Sequence, residues 1–442
     1  MLKNFRKIFR SESLKRKILW TLGILLVVKF LSVIPVPGVN VGALEVLRKQ
    51  IEASGSGLSF FSALMGGGMA HFSIILMGLS PYINASIILQ LLTVVIPKLE
   101  ALKKEGEQGQ RKINQWTRLL TLPLALAQSY GMILLLNTLV NVQAGAQPLI
   151  DTSNFLGAVL PAMIVITGGT LLLMWLGELI NESGIGNGIS LIIFAGVLAA
   201  VPSTISQFID TPLILAFLFA LTLGVIWIII RFTEGYRKIP LIYTRTGRDE
   251  RSYFPIRVNQ AGMVPIIFAI SLVTFPNIIG QILAKRGSGY AADIGTFLSS
   301  WFDPQAGSWL FIVLYFLFVL GFSFFYVSIT FNPTDVAENI QRRGGYIPGI
   351  RPGSDTAQHL GDVSSRLNVW GGGFLALIAV FPYLATKLNT LLATNGLPSI
   401  PTSHNIDFIV SGAGLIIAVG TVLELMRRVD VELKSYDYKR FQ

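Results

Sequence analysis

The stretch FSALMGGGMAHFSIILMGLSPYINASIILQLLTVVIP, residues 61–97, joins a short apolar segment to a full-length hydrophobic span through Gly66, Gly67 and Gly68. A helix that merely crosses lipid has no use for such a break. Irregular backbone at membrane depth survives only where protein or a water-filled cavity surrounds it, because nothing in hydrocarbon can satisfy a free N–H or C=O. The stretch therefore predicts a pore or cavity with a segment, residues 58–69, seated in it.

Outward from it, the chain of 442 residues is 52% hydrophobic and 13% charged, and the apolar residues come in blocks. A bilayer core about 30 Å thick takes roughly 20 helical residues to cross. Ten blocks read as spans: 18–34, 72–96, 116–137, 156–177, 188–203, 212–232, 259–283, 308–331, 369–386 and 406–426. They predict an all-α integral membrane protein. Cysteine is absent, which excludes disulfides, a thiol nucleophile and a cysteine metal site. The basic N-terminus runs into the first span without a small-residue cleavage site, so that helix is expected to stay as an anchor.

The net charge of +11 is unevenly spread. Lys3, Arg6, Lys7, Arg10, Lys15, Arg16 and Lys17 precede the first span, and more cations cluster at 98–112, 237–257, 342–366 and beyond Arg427. The alternate loops hold only Arg48, Lys49, Lys285, Arg286 and Lys387. Basic loops stay cytosolic, so both termini are expected in the cytosol, as ten crossings require. The N-terminal LKNFRKIFRSESLKRKILW sets Phe5, Ile8 and Phe9 among cations. It reads either as a helix lying on anionic lipid or as a contact with a partner.

Two of the basic loops, 234–258 and 332–368, exceed the usual connection length. Both mix Arg, Tyr, Ile, Pro and Gly, the composition of structured docking elements rather than of a solvated linker.

Absent chemistry narrows the function. No phosphate loop, serine elbow or paired metal histidines occur, and His71, His359 and His404 are scattered. Ion-coupled carriers and intramembrane enzymes carry ionisable groups inside their spans. Here Lys29, Glu178, Arg231, Asp407 and Glu424 lie at or near span ends. A carrier and an intramembrane enzyme are both disfavoured, and an insertion factor without a pore stays open. The polar residues within the spans are uncharged: Asn84, Ser86, Gln90, Thr93, Asn187, Ser190, Asn259, Gln260 and Ser271. They read as interhelical glue, or as the weak seam of a channel that opens sideways.

Seven motifs carry a resemblance: IPVPGV at 34–39, SPYINASIILQLLTVV at 80–95, KKEGEQGQRKI at 103–113, MWLGE at 174–178, GIGNGIS at 184–190, NPTDVAENI at 332–340 and GIRPG at 349–353. In this order, from about Leu14 to Gln442, they resemble the SecY family of protein-translocation channels. The resemblance implies two pseudo-symmetric halves of five helices around an hourglass pore. It divides the chain into a basic N-terminus (1–17), an N-terminal half (18–203), an external hinge loop (204–211), a C-terminal half (212–426) and a basic tail (427–442).

It further implies a pore ring of Leu79, Ile83, Ile189, Ile193, Ile267 and Ile417, since an apolar ring closes a pore by dewetting yet moulds around a passing chain. It implies a plug holding Leu58, Phe60, Phe61, Leu64, Met65, Gly66, Gly67 and Gly68. A lateral gate would lie between the second and third spans and the seventh and eighth, near Asn84, Gln90, Asn259 and Ser271. Arg351 would couple to a SecA motor ATPase, Arg342 and Arg343 would dock the motor or the ribosome, and Arg245, Arg248 and Arg251 would meet ribosomal RNA phosphates, with inner-leaflet lipid the alternative for all six. Implied partners are a SecE-like clamp helix, a SecG-like small subunit, signal sequences, nascent chains and anionic lipids; no cofactor or catalytic residue is implied. The expected location is the bacterial cytoplasmic membrane. The chain departs from the family pattern at SGAG (411–414), beside Ile417, and in its short 244–258 loop.

Overall fold

Each of the ten apolar blocks overlaps a helix. The computed structural model describes residues 12–53, 68–141, 148–207, 211–243, 250–284, 289–302, 308–394 and 412–441. In the N-terminal part run α1 (Glu12–Leu31), α2 (Val41–Ala53), α3 (Ser80–Val95), α4 (Pro97–Lys104), α5 (Glu107–Asn141), α6 (Leu160–Ser183) and α7 (Gly188–Gln207). After them come α8 (Pro212–Glu234), α9 (Val264–Ala284), α10 (Tyr290–Trp301), α11 (Trp309–Thr330), α12 (Pro333–Arg342), α13 (Ser354–Thr394) and α14 (Gly412–Phe441).

Among the described residues, five helices are long and apolar enough to cross a membrane alone, six if α3 and α4, bent by 101° at Ile96, count as one. The shortfall against ten blocks has a sequence cause. α1 begins with Glu12, Lys15, Arg16 and Lys17, the apolar parts of α7 and α9 are the short runs Gly188–Ala199 and Val264–Val273, and α14, described only from Gly412, soon runs into Glu424, Arg427 and Arg428.

The opening stretch corrects the expectation of a continuous span over 72–96. Residues 68–79 run in turns, and the helix starts only at Ser80, with Pro81 in its first turn, where a missing N–H costs nothing. Tertiary contacts hold the turns. Pro35 bridges Ser73, Val36 N–H donates to Phe72 O at 2.9 Å, and Ile74 N–H donates to Ile34 O at 3.0 Å. Gly169 of α6 comes so close that a Cβ there would lie 1.9 Å from Ile74 O. Phe72 takes φ 44°, held there by complete burial with Met69, Leu76, Leu136 and Ile166. Of the expected plug, Gly68 is buried here; Leu58, Phe60, Phe61, Leu64, Met65, Gly66 and Gly67 lie outside the described residues.

The chain is not wholly helical. The strands β1 (Tyr236–Tyr243) and β2 (Glu250–Arg257) pair antiparallel, Tyr236 opposite Arg257, and β3 (Gly345–Tyr346) pairs with the other edge of β1. β3 comes from the second long loop, so the two long loops make one unit. Alternation along β1 turns Ile239 and Leu241 inward, where they meet Ile256, Ile340 and Leu360 in a core of their own. Gly345 fits under Tyr243 because a Cβ would sit 2.7 Å from its ring. The long helix α13 also runs through the expected end of the second long loop at 368, and α14 through the expected boundary at 426, without a break.

Candidate functional site

All six ring candidates meet in one apolar cluster built by both halves of the chain. Leu79 precedes α3 and Ile83 lies one turn in, its N–H donating to Leu79 O at 3.0 Å. Ile189 and Ile193 share a face of α7, Ile267 comes from α9 and Ile417 from α14. Leu79, Ile193 and Ile417 are buried, and Ile83, Ile189 and Ile267 are half-buried.

The motif GIGNGIS explains how α7 gets there. Gly186 takes φ +95°, a turn that a side chain would strain. Asn187 Oδ1 then accepts from Ile189 N–H at 3.1 Å, and Asn181 Oδ1 accepts from Gly188 N–H at 2.8 Å. A Cβ on Gly188 would stand 2.0 Å from Gly177 O of α6, so only glycine lets α7 start this close to α6. Close approach through small residues is how helices pack where burying apolar surface gains little over lipid.

Beside the cluster, on the face that holds the described chain ends and the β-sheet, opens a cavity of about 720 Å³. The N-terminal half lines it with Lys17, Glu182, Gly184 and Gly186, the C-terminal half with Arg257, Met263, Gly420, Arg427 and Glu432. Burial, with the Arg427 guanidinium nearby, pushes Arg257 down from the usual arginine range. Lys17 Nζ donates to Glu432 Oε1 across the cavity wall, joining α1 to α14. Beside that pair Leu14, Ile185 and Leu433 are buried together.

α9 packs against both α3 and α5, the helices expected on the other side of the gate. Gln90 Nε2 donates to Ser86 Oγ of its own helix at 3.0 Å. Asn259 is buried and accepts from Gly262 N–H at 2.9 Å in the turn before α9. Asn84, half-buried, lies on α3 and Ser271 on α9.

Arg351 stands exposed in a turn between Gly349 (φ 81°) and Gly353 (φ 104°), and Thr356 Oγ1 donates to its carbonyl at 2.8 Å. Arg342 is exposed and pairs with Glu338 at 3.2 Å, and Arg343 is exposed at the end of α12. Arg251 pairs through its backbone with Ile242, whereas Arg245 and Arg248 lie outside the described residues. The docking candidates that are described thus sit on or beside the unit made by the two long loops.

Sequence reasoning missed the Lys17–Glu432 tie, the shared sheet and the place of Met263. Only the alternation in IPLIY hinted at the sheet.

The family model for SecY matches residues 73–426. The protein translocase subunit SecY of Mycobacterium bovis is 36% identical, with all of both chains covered. A solved SecY channel, described as one whose plug domain stabilises the closed state and maintains a membrane seal, has a TM-score of 0.65 at 19% identity, covering 95% of this chain and 92% of its own. Sec61 in the canine ribosome–channel complex has a TM-score of 0.60 at 17% identity, with the same coverage.

Proposed function

The chain belongs to the SecY family, and from that premise we propose how it works as a protein-conducting channel rather than as an enzyme. Ten spans form two pseudo-symmetric halves of five around an hourglass pore in the bacterial cytoplasmic membrane, with both termini in the cytosol. An unfolded secretory chain enters through the charged cavity, threads the ring and displaces the plug segment 58–69. An apolar helix instead parts α3 and α5 from α9 and α11 and passes sideways into lipid. Its transfer is favoured by roughly 25 cal/mol per Å² of apolar surface.

Energy comes from partners. The exposed turn around Arg351 suits a SecA-like motor ATPase, and Arg245, Arg248 and Arg251 suit the phosphates of a ribosome. A SecE-like helix braces the halves and a SecG-like subunit joins them. Anionic lipid holds the basic N-terminus.

The observation that carries this reading is the convergence of the six ring residues, from both halves, beside the cavity. The test places a photo-crosslinking residue at Ile83 and, separately, at Ile193, and stalls a secretory precursor during export. Labelling of the precursor's mature part from both positions is expected. An engaged precursor that labels neither overturns the ring.

A further inference from the structure

Met263 stands where three surroundings meet. It packs against the central ring cluster, against the core of the C-terminal half, and lines the charged cavity. It lies four residues before Ile267, one helical turn nearer the cavity.

The backbone around it is pinned. Gly262 takes φ +65°, its N–H held by Asn259, and Met263 O accepts from Ile266 N–H at 3.2 Å. Its side chain is held by apolar packing and one weak polar contact. Its sulfur lies 3.9 Å from Thr421 Oγ1, and that hydroxyl already donates to Ile417 O at 2.7 Å. Facing it, Gly420 contributes no side chain, and a Cβ there would lie 3.9 Å from the Met263 sulfur. Of the apolar side chains lining the cavity, Ile185 is buried in the α1–α14 contact and Val431 is exposed. Among these three, Met263 also packs against the cluster that holds the ring candidates.

We propose that Met263 is a seventh, movable member of the constriction: a lip on the cavity side that lies over Gly420 at rest and along the entering polypeptide. An unbranched thioether suits the task, because three rotatable bonds and a polarisable sulfur let it fill an irregular gap and remould against any side chain. The inference rests on the channel reading of the same site.

The experiment has two arms on the full channel complex. A photo-crosslinking residue at 263, run beside one at 193, is expected to label a stalled precursor from both positions. In reconstituted membranes Met263→Ala is expected to raise resting ion leak several-fold, and Met263→Leu, close in volume, to seal as the parent does. Met263→Trp, which narrows the mouth, is expected to slow export several-fold without leak. Labelling from 193 but not from 263 overturns the lip and leaves the channel standing, and so does an alanine variant that seals like the parent. Labelling from neither position overturns the channel reading itself. An alanine variant that unfolds during reconstitution leaves the decision to crosslinking and to the tryptophan variant, and unslowed export through that variant counts against the lip.

Discussion

The halves of this molecule meet along two seams made in different ways. At the first, α1 and the turn before α7 meet α14 through Leu14, Ile185 and Leu433, with Ile18, Leu425 and Val429 packed around them and Lys17 paired to Glu432. At the second, α3 and α5 meet α9, and the hydrogen bonds of Gln90 and Asn259 turn back into their own halves. The first seam cannot open without exposing a small core and parting two charges. The second can part without stranding either of those amides, and a stranded buried polar group costs about 1–3 kcal/mol. On the proposed channel reading, the first seam suits a pivot and the second a gate.

The largest effect should come from locking each seam in turn, which the absence of native cysteine makes clean. Asn84→Cys with Ser271→Cys, joined by a flexible bis-maleimide, should cut export and lateral release by about tenfold or more, the equivalent of about 1.4 kcal/mol. Ile18→Cys with Val429→Cys, half-buried beside the core of the first seam and joined the same way, should leave most export intact. Equal losses from the two links would erase the distinction between pivot and gate.

Next in size is the proposed ring. Ile193→Asn together with Ile83→Asn should hydrate the constriction and raise resting conductance by about tenfold, because the apolar ring seals by dewetting. Ile193→Val should cost only about 0.5–1.5 kcal/mol of stability and leak little. A double asparagine variant that stays sealed would move the barrier from the ring to the plug segment.

These tests also mark what the sequence could say. Hydropathy reported that Leu79 and Ile83, or Ile189 and Ile193, share a face, since each pair is four residues apart. It could not report that faces from four helices meet, which depends on contacts between segments far apart in the chain; the family resemblance supplied that expectation. The same limit hid the shared sheet, in which Ile242 pairs with Tyr346, and the Lys17–Glu432 pair, 415 residues apart. At 72–79 the failure was of another kind. FSIILMGL is as apolar as a span, and only its packing under Gly169 and against Pro35 and Val36 keeps it from winding into one.

Gly188 shows how much of the site hangs on one hydrogen atom. Gly188→Ala sets a Cβ against Gly177 O, and backbone cannot swing aside as a flexible side chain can. The overpacking should cost about 1–3 kcal/mol, read as a lower melting temperature in detergent, and should raise resting leak because Ile189 and Ile193 shift with α7. Gly168→Ala, where a Cβ meets nothing within 4 Å, is the control and should change neither. A Gly188→Ala channel that melts early but stays sealed would uncouple the start of α7 from the ring.

The smallest effect falls on the charges of the pivot. The Lys17 and Glu432 side chains keep 38% and 36% of their surface in solvent, so water and salt screen their attraction and the pair should contribute about 0–1 kcal/mol. A double-mutant cycle with Lys17→Gln and Glu432→Gln, read by thermal unfolding in low and high salt, should return a small coupling that fades as salt rises. Leu433→Ala, which removes buried apolar volume at the same seam, should cost about 2–5 kcal/mol and show no such salt dependence. That ordering makes the apolar contact the structural part of the pivot and leaves the ion pair to set its register. A coupling above that of Leu433→Ala, undiminished by salt, would reverse the assignment and make the pair a latch that must break for the halves to move.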